Sequence, residues 1–101
     1  MYKIKYLPLA SKDLQDIVFY ILENLKSPKA AIDFINTLDE SILRLRQYPC
    51  SCALYQPKEP LESEYRSLSV KNYLVFYLVA ENTVEIHRIV YVKMDLEKLI
   101  K

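Results

Sequence analysis

The chain contains no glycine in 101 residues, and that absence limits its chemistry more than any motif it carries. Phosphate-cradling loops, the dinucleotide-binding GxGxxG turn, the KH loop and the nucleophile elbow each need a close backbone approach or a positive φ. Only glycine supplies these at low cost. All four are excluded. Every sharp reversal must instead be made by other residues, of which Asn best tolerates the left-handed conformation.

Chemistry-bearing residues are also few. One His (His87) and two Cys (Cys50 and Cys52) cannot build a four-ligand zinc site from nitrogen and sulfur alone. A Ser/His/Asp triad would have its imidazole but no elbow to present the serine. The two cysteines flank Ser51 immediately after Pro49 and read as reduced, loop-borne thiols with no disulfide framework. No metal and no cofactor is expected. The 51% hydrophobic content is enough for one core, so residues 1–101 read as a single domain. With 14 basic against 13 acidic residues, bulk charge does not indicate a partner bound through phosphate contacts alone. No apolar run is long enough to span a bilayer and no leader pattern is present, which points to a cytoplasmic protein with no membrane partner.

Periodicity then orders the chain. Tyr2, Ile4 and Tyr6 alternate with Lys3 and Lys5, the signature of a half-buried strand ended by Pro8. Ser11 is the expected N-cap of a helix in which Leu14, Ile17, Val18, Ile21, Leu22 and Leu25 form one apolar stripe, with Asp13 in its first turn. Ser27-Pro28 opens a second helix, whose apolar face runs from Ala31 through Phe34, Leu38, Ile42 and Leu45 to Tyr48. The short break between them predicts an antiparallel hairpin. After a proline-bearing loop to residue 64 the period changes to two. Strands are predicted over 65–70, 73–80 and 83–92, joined by Lys71-Asn72 and Glu81-Asn82, and a short helix over 95–101. The fold class is α+β: N-terminal strand, antiparallel helical hairpin, three-stranded antiparallel meander, short C-terminal helix.

The strand over 73–80 is apolar on both sides. Tyr73, Val75, Tyr77 and Val79 point one way, while Leu74, Phe76 and Leu78 point the other. Two helices cover only one side of a sheet, so the second side is expected to lie open for a partner. Leu68, Leu74, Phe76 and Leu78 are the candidate contacts.

The element order carries a resemblance. Tyr65-Arg66-Ser67-Leu68 leads to Val70-Lys71-Asn72-Tyr73, then Tyr77, and finally His87-Arg88-Ile89-Val90-Tyr91 with Met94-Asp95. Together these resemble the RelE/ParE superfamily, the toxin halves of bacterial type II toxin–antitoxin modules. The resemblance implies a growth-inhibiting protein, associated with plasmid stabilisation and neutralised by a cognate antitoxin that wraps it. It also implies one of two targets. RelE-like members are ribosome-dependent, metal-independent mRNA endonucleases, for which cleavage by the 2′-hydroxyl needs a base, an acid and positive charge on the phosphate. Arg66, His87, Tyr91 and Lys93 are the residues that would fill those roles. Against this, Leu74 falls where such nucleases carry an arginine, and Leu99 near their terminal aromatic. ParE-like members bind DNA gyrase instead, and the missing charge and Met94-Asp95 favour that branch. A non-toxic binding module or a co-repressor is the remaining alternative.

Overall fold

The structure is a computed structural model that describes residues 1–51, 54 and 65–92. Its elements are β1 (Lys3–Tyr6), α1 (Pro8–Glu23), α2 (Pro28–Leu43), a 3₁₀ turn (Arg44–Arg46), β2 (Arg66–Val70), β3 (Tyr73–Ala80) and β4 (Thr83–Tyr91). The strands form one mixed sheet in the order β1-β4-β3-β2. β2, β3 and β4 are the antiparallel meander, and β1 joins in parallel alongside β4. The expected helix over 95–101 lies outside the described residues.

α1 starts earlier than its polar residues suggest. Pro8 occupies the first turn and Leu7 the cap position, so Ser11 lies inside the helix and caps nothing. Proline's fixed φ suits the first helical turn, and its missing N–H costs nothing there. α2 follows the expected order, with Ser27 accepting a hydrogen bond from the Ala30 amide at 3.2 Å and Pro28 in the first turn. Its apolar side buries Ala31, Phe34, Leu38 and Ile42, and the 3₁₀ turn adds Leu45. Tyr48, expected to end that stripe, is exposed, as are Leu22 and Leu25 of the first stripe.

The helices and the sheet enclose one core. Val75 and Tyr77 from β3, Val84, Ile86 and Ile89 from β4, and Val70 from β2 meet Phe34, Leu38 and Ile42 there. Tyr77 keeps its hydroxyl satisfied by donating to the Pro49 carbonyl at 2.9 Å, as a buried phenol requires.

Without glycine, three described residues carry positive φ: Lys26 between the helices, and Lys71 and Glu81 in the two hairpins. The asparagines were the expected left-handed residues, but the strain falls on the first residue of each turn instead. A two-residue hairpin tolerates a positive φ there because it follows the right-handed twist of the strands. The Asn72 and Asn82 carbonyls instead accept from the Val92 and Lys3 amides at 3.0 and 2.9 Å, extending the sheet.

β4 contains a bulge. Phe76 pairs with Arg88 and Tyr77 with Ile86, so His87 and Arg88 together oppose one step of β3. The extra residue turns Arg88 toward α1, where Asp13 accepts from its Nε at 2.8 Å and its Nη2 at 3.0 Å. The same carboxylate accepts from the Ile89 amide at 2.9 Å. Asp13 therefore lies beyond the first turn of α1 and ties that helix to the bulge. The hydrogen bonds to Asp13 hold the Arg88 guanidinium above its ordinary pKa.

Candidate functional site

Pairing register fixes which side of the sheet each candidate occupies. Leu68 lies opposite Val75 and packs on the helix-covered core. Arg66 continues the same row of β2, opposite Tyr77. Tyr91 lies opposite Tyr73, at the far end of that helix-facing row. His87 is on the other side, in the bulge. Lys93 lies outside the described residues, as do Met94, Asp95 and Leu99.

The three described residues proposed for acid–base work, Arg66, His87 and Tyr91, are therefore not brought together. Arg66 and Tyr91 are separated by four residues of strand, about 13 Å, and His87 faces away from both. The period-two pattern had suggested one cluster, but the bulge and the order β1-β4-β3-β2 separate its members.

The partner-facing row also needs correction. Phe76 is fully buried, at 0% exposure, and Val90 on the same side of the sheet is buried at 4%. The chain itself covers this part of the second face. Leu74 and Leu78 are half-buried, and Leu68 belongs to the opposite side. The expected open apolar surface is thus reduced to the flanks of a filled patch.

Two other arrangements emerge. On the second face, His87 lies between Tyr65 and Glu85. Tyr65 Oη is 3.3 Å from Nδ1, and Nε2 is 3.3 Å from Glu85 Oε1. The Tyr65 and His87 rings meet edge-on with centroids 5.2 Å apart. Both imidazole nitrogens are occupied, which fixes the ring; the His87 side chain retains 21% exposure. The Glu85–His87 proximity was readable from i, i+2 alternation. Tyr65 was not, because its approach depends on register across β2, β3 and β4.

The second arrangement is an aromatic groove of about 660 Å³ between the helical hairpin and the β2–β3 turn. Phe34 forms its floor, with its ring 5.1 Å from that of Tyr73, and Tyr91 meets Tyr73 at 5.5 Å. Tyr20 and Ile17 of α1 and Lys71 complete the walls. Burial, with Tyr91 and Tyr20 nearby, raises the Tyr73 hydroxyl above its ordinary pKa. The spacing of Tyr73 and Tyr91 on paired strands was the signal that could have revealed it. No three His, Cys, Asp or Glu side chains converge among the described residues. No helix among them is long and apolar enough to cross a membrane.

A mixed four-stranded sheet backed by an N-terminal helical hairpin is also found in solved structures of other proteins. Part of the chromosomal ParDE toxin–antitoxin system of Pseudomonas aeruginosa superposes with a TM-score of 0.74, at 22% identity over 92% of this chain and 98% of that one. A copper-bound mutant toxin from Helicobacter pylori superposes at 0.63, with 18% identity over 90% and 94% of the two chains. A chain of the Escherichia coli DinJ–YafQ complex gives 0.57 at 14% identity, over 90% and 93%. No curated protein matches in sequence. The ParE toxin family of type II toxin–antitoxin systems matches residues 4–96, and the chain belongs to that family.

Proposed function

We propose that this toxin arrests growth by binding DNA gyrase and is held inactive by a cognate antitoxin. The observation that carries the reading is the dispersal of Arg66, His87 and Tyr91 over two sides and two ends of the sheet. A nuclease needs its base, acid and phosphate clamp within reach of one scissile bond. Leu74 adds an apolar side chain where the resemblance calls for a cation. Membership in the ParE family supports the same branch, and the likeness to chains from ParDE and DinJ–YafQ supports an antitoxin partner.

A second reading rests on one observation. His87 keeps partial exposure beside a phenol and a carboxylate, a composition capable of proton transfer in an RNA endonuclease. Purified protein separates the two. Inhibited supercoiling with intact transcripts on stalled ribosomes supports gyrase binding. Transcripts cut at defined positions by the parent, and left whole by His87→Ala, would overturn it.

A further inference from the structure

The aromatic groove beside the helical hairpin holds polar groups that the fold leaves unused. In the core, Tyr77 donates its hydroxyl to the Pro49 carbonyl at 2.9 Å, as a phenol removed from water does. The groove phenols Tyr20, Tyr73 and Tyr91 differ. Among the described residues their hydroxyls make no hydrogen bond. Tyr20 and Tyr91 are exposed, and the oxygen of half-buried Tyr73 is not sealed from solvent. Burial, then the nearness of Tyr91 and Tyr20, holds the Tyr73 proton in place, which leaves that hydroxyl a donor.

The two charged side chains of the groove are unequal. Asp16 is already paired with Lys12 at 3.2 Å. Lys71, in the β2–β3 turn, is exposed and joins no ion pair among the described residues. Phe34 and Leu25 make the wall between them apolar. The volume of about 660 Å³ is that of a small-molecule site, with a mostly apolar lining and a few polar groups that fix orientation.

We propose that this groove binds a small aromatic carboxylate. Its ring packs against Phe34, and its carboxylate accepts from the Tyr20 and Tyr73 hydroxyls beside the Lys71 ammonium. Hydrogen bonds from a phenol to a carboxylate are charge-assisted and roughly twice as strong as neutral ones. A neutral amide gains the ring contacts without the attraction to Lys71, and an aryl amine meets a like charge there. The proposal does not depend on whether gyrase or mRNA is the target. The competing explanation is a groove that is merely apolar, for which the charge of the ligand makes no difference.

The test uses the full chain in solution, with phenylpropionate, phenylpropionamide and phenethylamine as probes. Binding is read from the NMR ring-proton signals of the tyrosines and Phe34. Phenylpropionate is expected to shift the Tyr20, Tyr73 and Tyr91 signals and to bind about tenfold more tightly than the amide. Tyr20→Phe and Tyr73→Phe each remove a donor and keep the ring, so each should weaken phenylpropionate about tenfold. Neither hydroxyl is bonded to a described residue, so both variants should melt as the parent does. Lys71→Gln should weaken it about threefold, as for an exposed ion pair. Unshifted ring signals at millimolar phenylpropionate overturn the proposal, as does equal binding of acid and amide. Undiminished binding to both tyrosine variants also overturns it. Tighter binding of phenethylamine would assign the groove to cations through Asp16 and equally overturn it.

Discussion

The two sides of the sheet are built from the same apolar residue types, yet they serve the molecule differently. The side under the helices is one continuous core, in which Val75, Tyr77, Ile86 and Phe34 are sealed from water. Among the described residues the other side is sealed around Phe76 and Val90 and is flanked by half-buried Leu74 and Leu78 and the polar group Tyr65, His87 and Glu85. An apolar row on the side away from the helices therefore does not imply an open surface, because the chain can cover its own sheet.

Truncation tests this contrast most severely at Phe34. Phe34→Ala should remove about 3–5 kcal/mol, since its ring sits between α2 and Tyr73 in the fully covered core. An unchanged denaturation midpoint would contradict the packing described. Phe76→Ala should cost about 3 kcal/mol, at the low end of that range, because the half-buried leucines beside it can relax into the cavity. If it costs more than Phe34→Ala, the second side is the better packed and the contrast is reversed.

The bulge provides a smaller effect. Asp13→Asn should cost about 2 kcal/mol, measured by urea unfolding, because a charge-assisted pair with Arg88 is lost at a site where the side chains are only 15% and 19% exposed. A neutral result would mean that the tie between α1 and β4 does not stabilise the fold.

The last test is a pH slope. Burial, with Asp39 nearby, pushes the Tyr6 hydroxyl up to about 12 from 10.0. The folded state thus holds this proton more tightly than the unfolded state does. Its contribution is fully present below pH 10 and is lost as pH rises from 10 toward 12. Tyr6→Phe should flatten the fall in stability across that window, as followed by thermal melts at several alkaline pH values. An identical slope would place the ring in water.

Elements were legible wherever local chemistry decides them. Ser27-Pro28 marked the start of α2, and β3 was bounded correctly by the strong alternation from Tyr73 to Ala80. The start of α1 was misread because Pro8 both stops a strand and opens a helix, and the familiar capping residue Ser11 drew the boundary inward. The site was less legible. His87 was singled out and Glu85 follows from alternation along β4, but Tyr65 joins them only once three strands are in register. A one-residue bulge at Arg88 moved that side chain to the helix, and no alternation rule anticipates it.

The parallel pairing of β1 with β4 joins residues 3–6 to residues 83–86. During synthesis the first strand leaves the ribosome with its partner not yet made. At about 5–20 residues per second, translation keeps it waiting for several seconds, and closing so long a loop is itself slow. The sheet is complete only once residues 83–86 have been made. Premature termination before β4 thus yields a fragment that lacks not just one strand but the anchorage of its own beginning.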